Sequence, residues 1–152
     1  MSPSQAGFLT FLRGIVGIPM AALADNAPVI GYAYNVALAT VNAQLIVAGA
    51  LPSASWSLYA IAVYNLGADR VVNFAQDVPP STYFADLRKA LNLNQFVVGT
   101  ISESHDEATG QGMTVPDFVA GLTIADLQTI RTPWGRQYMG LAQATGTLWG
   151  IS

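Results

Sequence analysis

Cysteine is absent from this 152-residue chain, and histidine occurs once. There is accordingly no disulfide framework, no thiolate zinc site and no cysteine nucleophile, and the cysteine count carries no information about redox compartment. Charge is scarce too: six Lys and Arg against nine Asp and Glu make up 10% of the residues, where soluble domains carry about 25%. A formal charge of −3 and a pI near 4.7 leave no broad cationic surface to neutralise phosphates, which argues against direct nucleic-acid binding. Met1 to Gln5 contain no basic residue, so the start does not read as a secretory leader and no export is expected.

What is present is apolar. Hydrophobic residues make up 52% of the chain and mean hydropathy is +0.40, which excludes intrinsic disorder. The length predicts a single domain over 1–152. The charges are unevenly placed: the first 68 residues hold only Arg13 and Asp25, and the 43 residues from Asn26 to Ala68 hold none. A 16.0 kDa chain has much surface for its volume, and soluble surfaces are normally rich in charge. Something other than water is therefore expected to cover part of the N-terminal half, either lipid or protein. The stretch Ala27 to Leu51 is long enough to raise a membrane span. Asn35, Asn42 and Gln44 within it, and the lack of flanking Lys or Arg, favour protein.

The hydrophobic spacing predicts a mainly α protein, a small bundle of about five to six helices. Ser4 caps a first helix with Phe8, Phe11, Leu12, Ile15 and Val16 on one stripe, broken by Gly17 and Pro19. Asp25, Asn26 and Pro28 start a second, with Ile30, Ala33, Tyr34, Ala37, Leu38 and Val41 on one face, ending near Asn42. Gln44 to Ala50 is ambiguous between strand and helix. Pro52 with Ser53 or Ser55 opens a third helix carrying Trp56, Tyr59, Ala60, Val63 and Leu66, which either continues past Gly67 or breaks there. A short fourth helix holds Tyr83, Phe84, Leu87, Ala90 and Leu91 and stops at Asn92. Residues 95–118 read as one extended β-hairpin or long loop. Thr123 starts a further helix with Asp126 at its third position, and Thr132-Pro133 starts the last, with Trp134, Tyr138, Leu141 and Thr145 on one side. Gly146 ends it, leaving a tail over 146–152 that carries Trp149 and Ile151.

Chemistry is hard to assemble from this inventory. His105 sits in Glu103-Ser104-His105-Asp106-Glu107, a polar loop without the rigid scaffold that an acid–base or metal site needs. No Gly-x-Ser-x-Gly elbow and no Gly-x-Gly-x-x-Gly or Gly-Lys-Ser/Thr phosphate loop is present. No catalytic residue, metal or cofactor is expected. Arg131 and Arg136 flank Thr132-Pro133-Trp134-Gly135, where a guanidinium would either meet a partner or serve local helix-start chemistry. Trp149 either folds back or anchors in a neighbour.

The C-terminal half also carries a motif. Val98-Gly99-Thr100-Ile101-Ser102-Glu103-Ser104 is followed by Leu127 to Tyr138, LQTIRTPWGRQY. This resembles the tailed-bacteriophage head-to-tail adaptor (connector, neck) family, closely over 97–141 and only in general plan before that. Trp134 stands where the family more often has Tyr, and His105-Asp106-Glu107 is an acidic insertion in the loop. The resemblance implies a non-enzymatic virion protein whose copies form a ring, expected to hold twelve, beneath the portal, with the tail or next neck protein docked to it. It implies the virion neck as location, the host cytoplasm before assembly, and no membrane. The expected partner surface comprises Ser102, His105, Arg131, Trp134, Arg136, Tyr138, Trp149 and Ile151. The alternatives are a small holin-like membrane-active protein, or another neck component such as a stopper or tail terminator.

Overall fold

The computed structural model describes residues 2–42, 57–94 and 124–144. Among them the chain is a mainly helical bundle with no strand. Helix α1 spans Gln5–Phe11 and widens into a π-helical turn, Leu12–Val16; α2 spans Pro28–Thr40, α3 Leu58–Phe74, α4 Tyr83–Ala90, α5 Ile124–Thr129 and α6 Pro133–Ala144. The expected hairpin or loop over 95–118 and the tail over 146–152 lie outside the described residues.

Helix α1 begins where the sequence indicates: the Gly7 N–H donates to the Ser4 hydroxyl at 3.1 Å, satisfying one of the free amides of the first turn. Phe8, Phe11 and Leu12 are buried. Ile15, placed on the same stripe by the sequence, is instead 63% exposed. The π turn is the reason, because hydrogen bonds from i to i+5 add a residue per turn and rotate the following side chains off the helical face. Gly17, at φ 80°, ends the turn.

Helix α2 starts at Pro28 in the first turn as expected, but Ala27 precedes it with no side-chain cap. The carboxylate of Asp25, read as capping oxygen from the sequence, turns to Arg13 instead. That guanidinium also donates to the carbonyls of Ile18, at 2.8 Å, and Leu23. An arginine five donors rich outcompetes an exposed helix end, since it ties down three acceptors of the 17–27 connection at once. Ile30, Ala33, Tyr34, Ala37 and Val41 are buried as the spacing predicts, whereas Leu38 is exposed.

Helix α3 is the centre of the bundle. Ser57 caps it by accepting the Ala60 N–H at 3.2 Å; Pro52, Ser53 and Ser55, expected at its start, lie outside the described residues. It packs against α1, α2, α4 and α6, and 12 of its 17 residues are buried. It continues through Gly67 because the missing side chain makes room for Phe8: a Cβ there would lie 2.8 Å from the ring. Phe8 stacks at a tilt on Tyr34 and Tyr64, each with centroids 5.9 Å apart. The Ser4 N–H donates to the Tyr64 hydroxyl at 3.0 Å. Each fully buried Phe or Leu of this cluster contributes about 1.5–3 kcal/mol.

These contacts fix placement. Ser4, Phe8 and Phe11 all lie against Tyr64, and Phe8 also fills the space at Gly67, so α1 packs on the middle of α3. Tyr32 meets Phe74 edge-on at 6.3 Å, so α2 begins where α3 finishes and runs the other way. Helix α4 is pinned at the same place. The Asp77 carboxylate accepts the N–H groups of Phe84 and Ala85, both at 2.8 Å, a favourable placement of negative charge at a helix start. Arg88 donates to the carbonyls of Val72 and Ala75, at 3.1 and 2.7 Å, closing the end of α3. Asn92, at φ 55°, ends α4 at the predicted residue.

Candidate functional site

The Thr-Pro-Trp-Gly-Arg segment forms a tight corner between α5 and α6, held onto α3 by a buried polar knot. Thr132 is fully buried. Its hydroxyl accepts the Gly135 N–H at 2.9 Å, capping α6, and donates to Oδ1 of Asp69 at 2.6 Å. The Asn73 amide donates to the same carboxylate oxygen at 3.2 Å and to the Asp69 carbonyl at 2.8 Å. Gly135 is required by contact: a Cβ there would overlap the carbonyl oxygen of Thr129.

Asp69 is 1% exposed, and its second oxygen, Oδ2, has no hydrogen-bond partner. Burial pushes its carboxyl up to about 6, against the opposing effects of the Thr132 hydrogen bond, the neighbouring Arg70 charge and the Asn73 amide. A carboxyl with that affinity is in the range of an acid–base catalyst. Here it is sealed beneath α6, and the Thr132 hydroxyl beside it is occupied in both directions, so the cluster acts as a clip between α3 and α6. Burial also raises the Tyr138 hydroxyl, with the Asp126 charge acting in the same direction and Arg70 opposing it. Among the described residues no group of three or more His, Asp or Glu is arranged to hold a metal ion.

The expected partner residues divide. Arg136 donates to the carbonyls of Ile130 and Arg131, at 3.1 and 3.3 Å, closing the end of α5 while its side chain stays exposed. Arg131 is half-buried and reaches the carbonyls of Asn92 and Leu93 beyond α4. Trp134 and Tyr138 are partly buried against the core. The four therefore meet around one corner, where both guanidinium groups bind backbone carbonyls of their own chain. Ser102, His105, Trp149 and Ile151 lie outside the described residues.

Sequence reading missed Asp69, Met139 and Ala142, all buried. Asp69 follows Leu66 by three residues and Ala62 by seven, on a face the helical period marks as internal. A carboxylate on that stripe was the available signal.

A second arrangement is the outer surface. The large apolar side chains of Ile15, Met20, Tyr32, Phe74 and Val78 are exposed, along with Leu38 and Leu127. Up to Asp69, every charge of the sequence is accounted for inside the chain: Arg13 and Asp25 pair with each other, and Asp69 is buried. No described helix is long and apolar enough to cross a membrane. No family model, curated protein or solved structure matches the chain.

Proposed function

We propose that this chain is a structural, non-enzymatic virion subunit, a head-to-tail adaptor whose copies assemble into a ring, expected to hold twelve, beneath a portal and present a docking surface to the tail or next neck protein. The observation that carries the reading is the combination of exposed Ile15, Met20, Tyr32, Phe74 and Val78 with an N-terminal half whose two charges neutralise each other. A subunit in a ring has two flanks covered by its neighbours, so a surface poor in charge is tolerated once assembly is complete. The sequence motif over 97–141 supports the same reading, and the helical build favours the portal-adjacent adaptor over stopper and terminator subunits, which by family analogy are rich in β-structure. Against a holin-like role, α2 covers only 13 residues of the apolar stretch.

Electron microscopy of the purified protein mixed with portal-bearing capsids tests this. Rings seated at the portal vertex are the expected result. A protein that neither self-associates at high concentration nor binds those capsids refutes it.

A further inference from the structure

The polar knot beneath α6 leaves one oxygen of a buried carboxyl unserved. Oδ1 of Asp69 accepts from Thr132 at 2.6 Å and from Asn73 at 3.2 Å, whereas Oδ2 is buried with no partner. A dry carboxylate in that position is costly while it is charged and much less so once a proton neutralises it.

The surroundings supply no hydrogen-bonded counter-charge. Arg70, the next residue, acts on the carboxyl through its charge. Helix α6 contributes the Tyr138 phenol, itself raised by burial, and Arg136, which is turned to the carbonyls of Ile130 and Arg131. Asp126 of α5 acts on Tyr138. On the other sides of α3, Arg88 of α4 is held by the carbonyls of Val72 and Ala75, while Asp86 and Lys89 are exposed. Arg13, after α1, is bound to Asp25, and α2 carries only the phenols of Tyr32 and Tyr34.

The element above Asp69 is also separable. The aromatic cluster of Phe8, Tyr34 and Tyr64 is closed by α1, α2 and α3 alone, and α6 packs on α3 and α5. Thr132 lies at the corner between α5 and α6, so lifting that corner hydrates Asp69 and frees both helices. The contacts of Arg131 to the Asn92 and Leu93 carbonyls break with it, and water replaces them at the surface.

We propose that the Asp69–Thr132 contact is a proton-controlled latch: the protonated carboxyl holds α6 on α3, and its ionisation lets α5 and α6 lift as one arm from a bundle of α1 to α4 that stays folded. The latch is a property of this chain alone and does not depend on the adaptor reading. Its sign follows from burial. With the carboxyl at about 6 in the closed arrangement and about 3.9 once hydrated, closure is favoured at low pH, and the preference fades as pH rises through 6.

Amide hydrogen exchange of the full chain at pH 5 and 7.5, corrected for the chemistry of exchange itself, tests it. Amides of α6 should open more readily than those in the middle of α2 and α3, and their opening constant should rise about tenfold from pH 5 to 7.5. In Asp69→Asn the α6 opening should be the same at both pH values. Thr132→Val, which keeps the titrating carboxyl, should open more at both and retain the pH dependence, so either variant carries the test if the other does not fold. Amides of α6 that exchange only together with the rest of the bundle overturn the inference. An opening constant that does not change with pH in wild type, a dependence that survives in Asp69→Asn, or one that vanishes in Thr132→Val does the same.

Discussion

Replacing Asp69 with Asn tests the buried clip most directly, through the pH dependence of stability. In the folded chain the carboxyl is pushed up to about 6 by burial; unfolded, it returns to about 3.9. The folded state then holds the proton more tightly than the unfolded state, so this group adds stability as pH falls through 6, and the gain is complete below about 4. Two pK units correspond to about 3 kcal/mol in full, of which about 2 kcal/mol develops between pH 7.5 and pH 4.5. The variant cannot titrate there. Its side-chain oxygen still accepts from Thr132, while its amide, at the place of the unpartnered Oδ2, adds a buried donor costing about 1–3 kcal/mol at every pH. Urea unfolding of both proteins at pH 7.5 and 4.5 gives the readout. The stability difference should shift by about 2 kcal/mol towards wild type at the lower pH. A difference that stays constant, or moves the other way, would show that Asp69 is neither as dry nor as unpaired as its geometry indicates.

Three further outcomes follow from the packing. Thr132→Val removes both the α6 cap and the donor to Asp69 and should cost about 2–4 kcal/mol in chemical denaturation, with Thr132→Ser restoring most of it. Gly135→Ala drives a methyl into the Thr129 carbonyl, which backbone cannot yield cheaply; a thermal melt should show a loss of about 3 kcal/mol, and an unchanged melt would mean the corner is looser than described. Gly67→Ala presses on the Phe8 ring, and because a ring can move, the cost should be smaller, about 1–2 kcal/mol, and partly relieved in a double-mutant cycle with Phe8→Leu.

Much of the bundle is legible in the letters. Ser4, Pro28, Asn92 and Thr132-Pro133 mark helix ends where the structure has them, since capping and proline geometry are settled within a few residues of chain. The misplacements have causes that the hydrophobic spacing does not show. Asp25 reads as a cap until Arg13 claims it, and Ile15 reads as core until a π turn rotates it outward. Gly67 reads equally as break or continuation, because Phe8, which makes the glycine necessary, is nearly sixty residues away. The same holds at the candidate site: the motif residues Arg131, Thr132, Gly135 and Arg136 stand out in the sequence, but Thr132 donates to Asp69 on α3 and Arg131 to carbonyls beyond α4.

The sequence by itself determined the helical class, most helix starts and the shortage of ions in the N-terminal half, because periodicity, capping and composition are properties of short segments or of the whole list. Only the tertiary structure decided that Asp69 is dry and joined to Thr132, that Arg13 and Asp25 pair, and that Tyr32 and Phe74 meet on the outside of the bundle. Those facts depend on which distant helices meet, and in which direction, and no local pattern of residues carries that information.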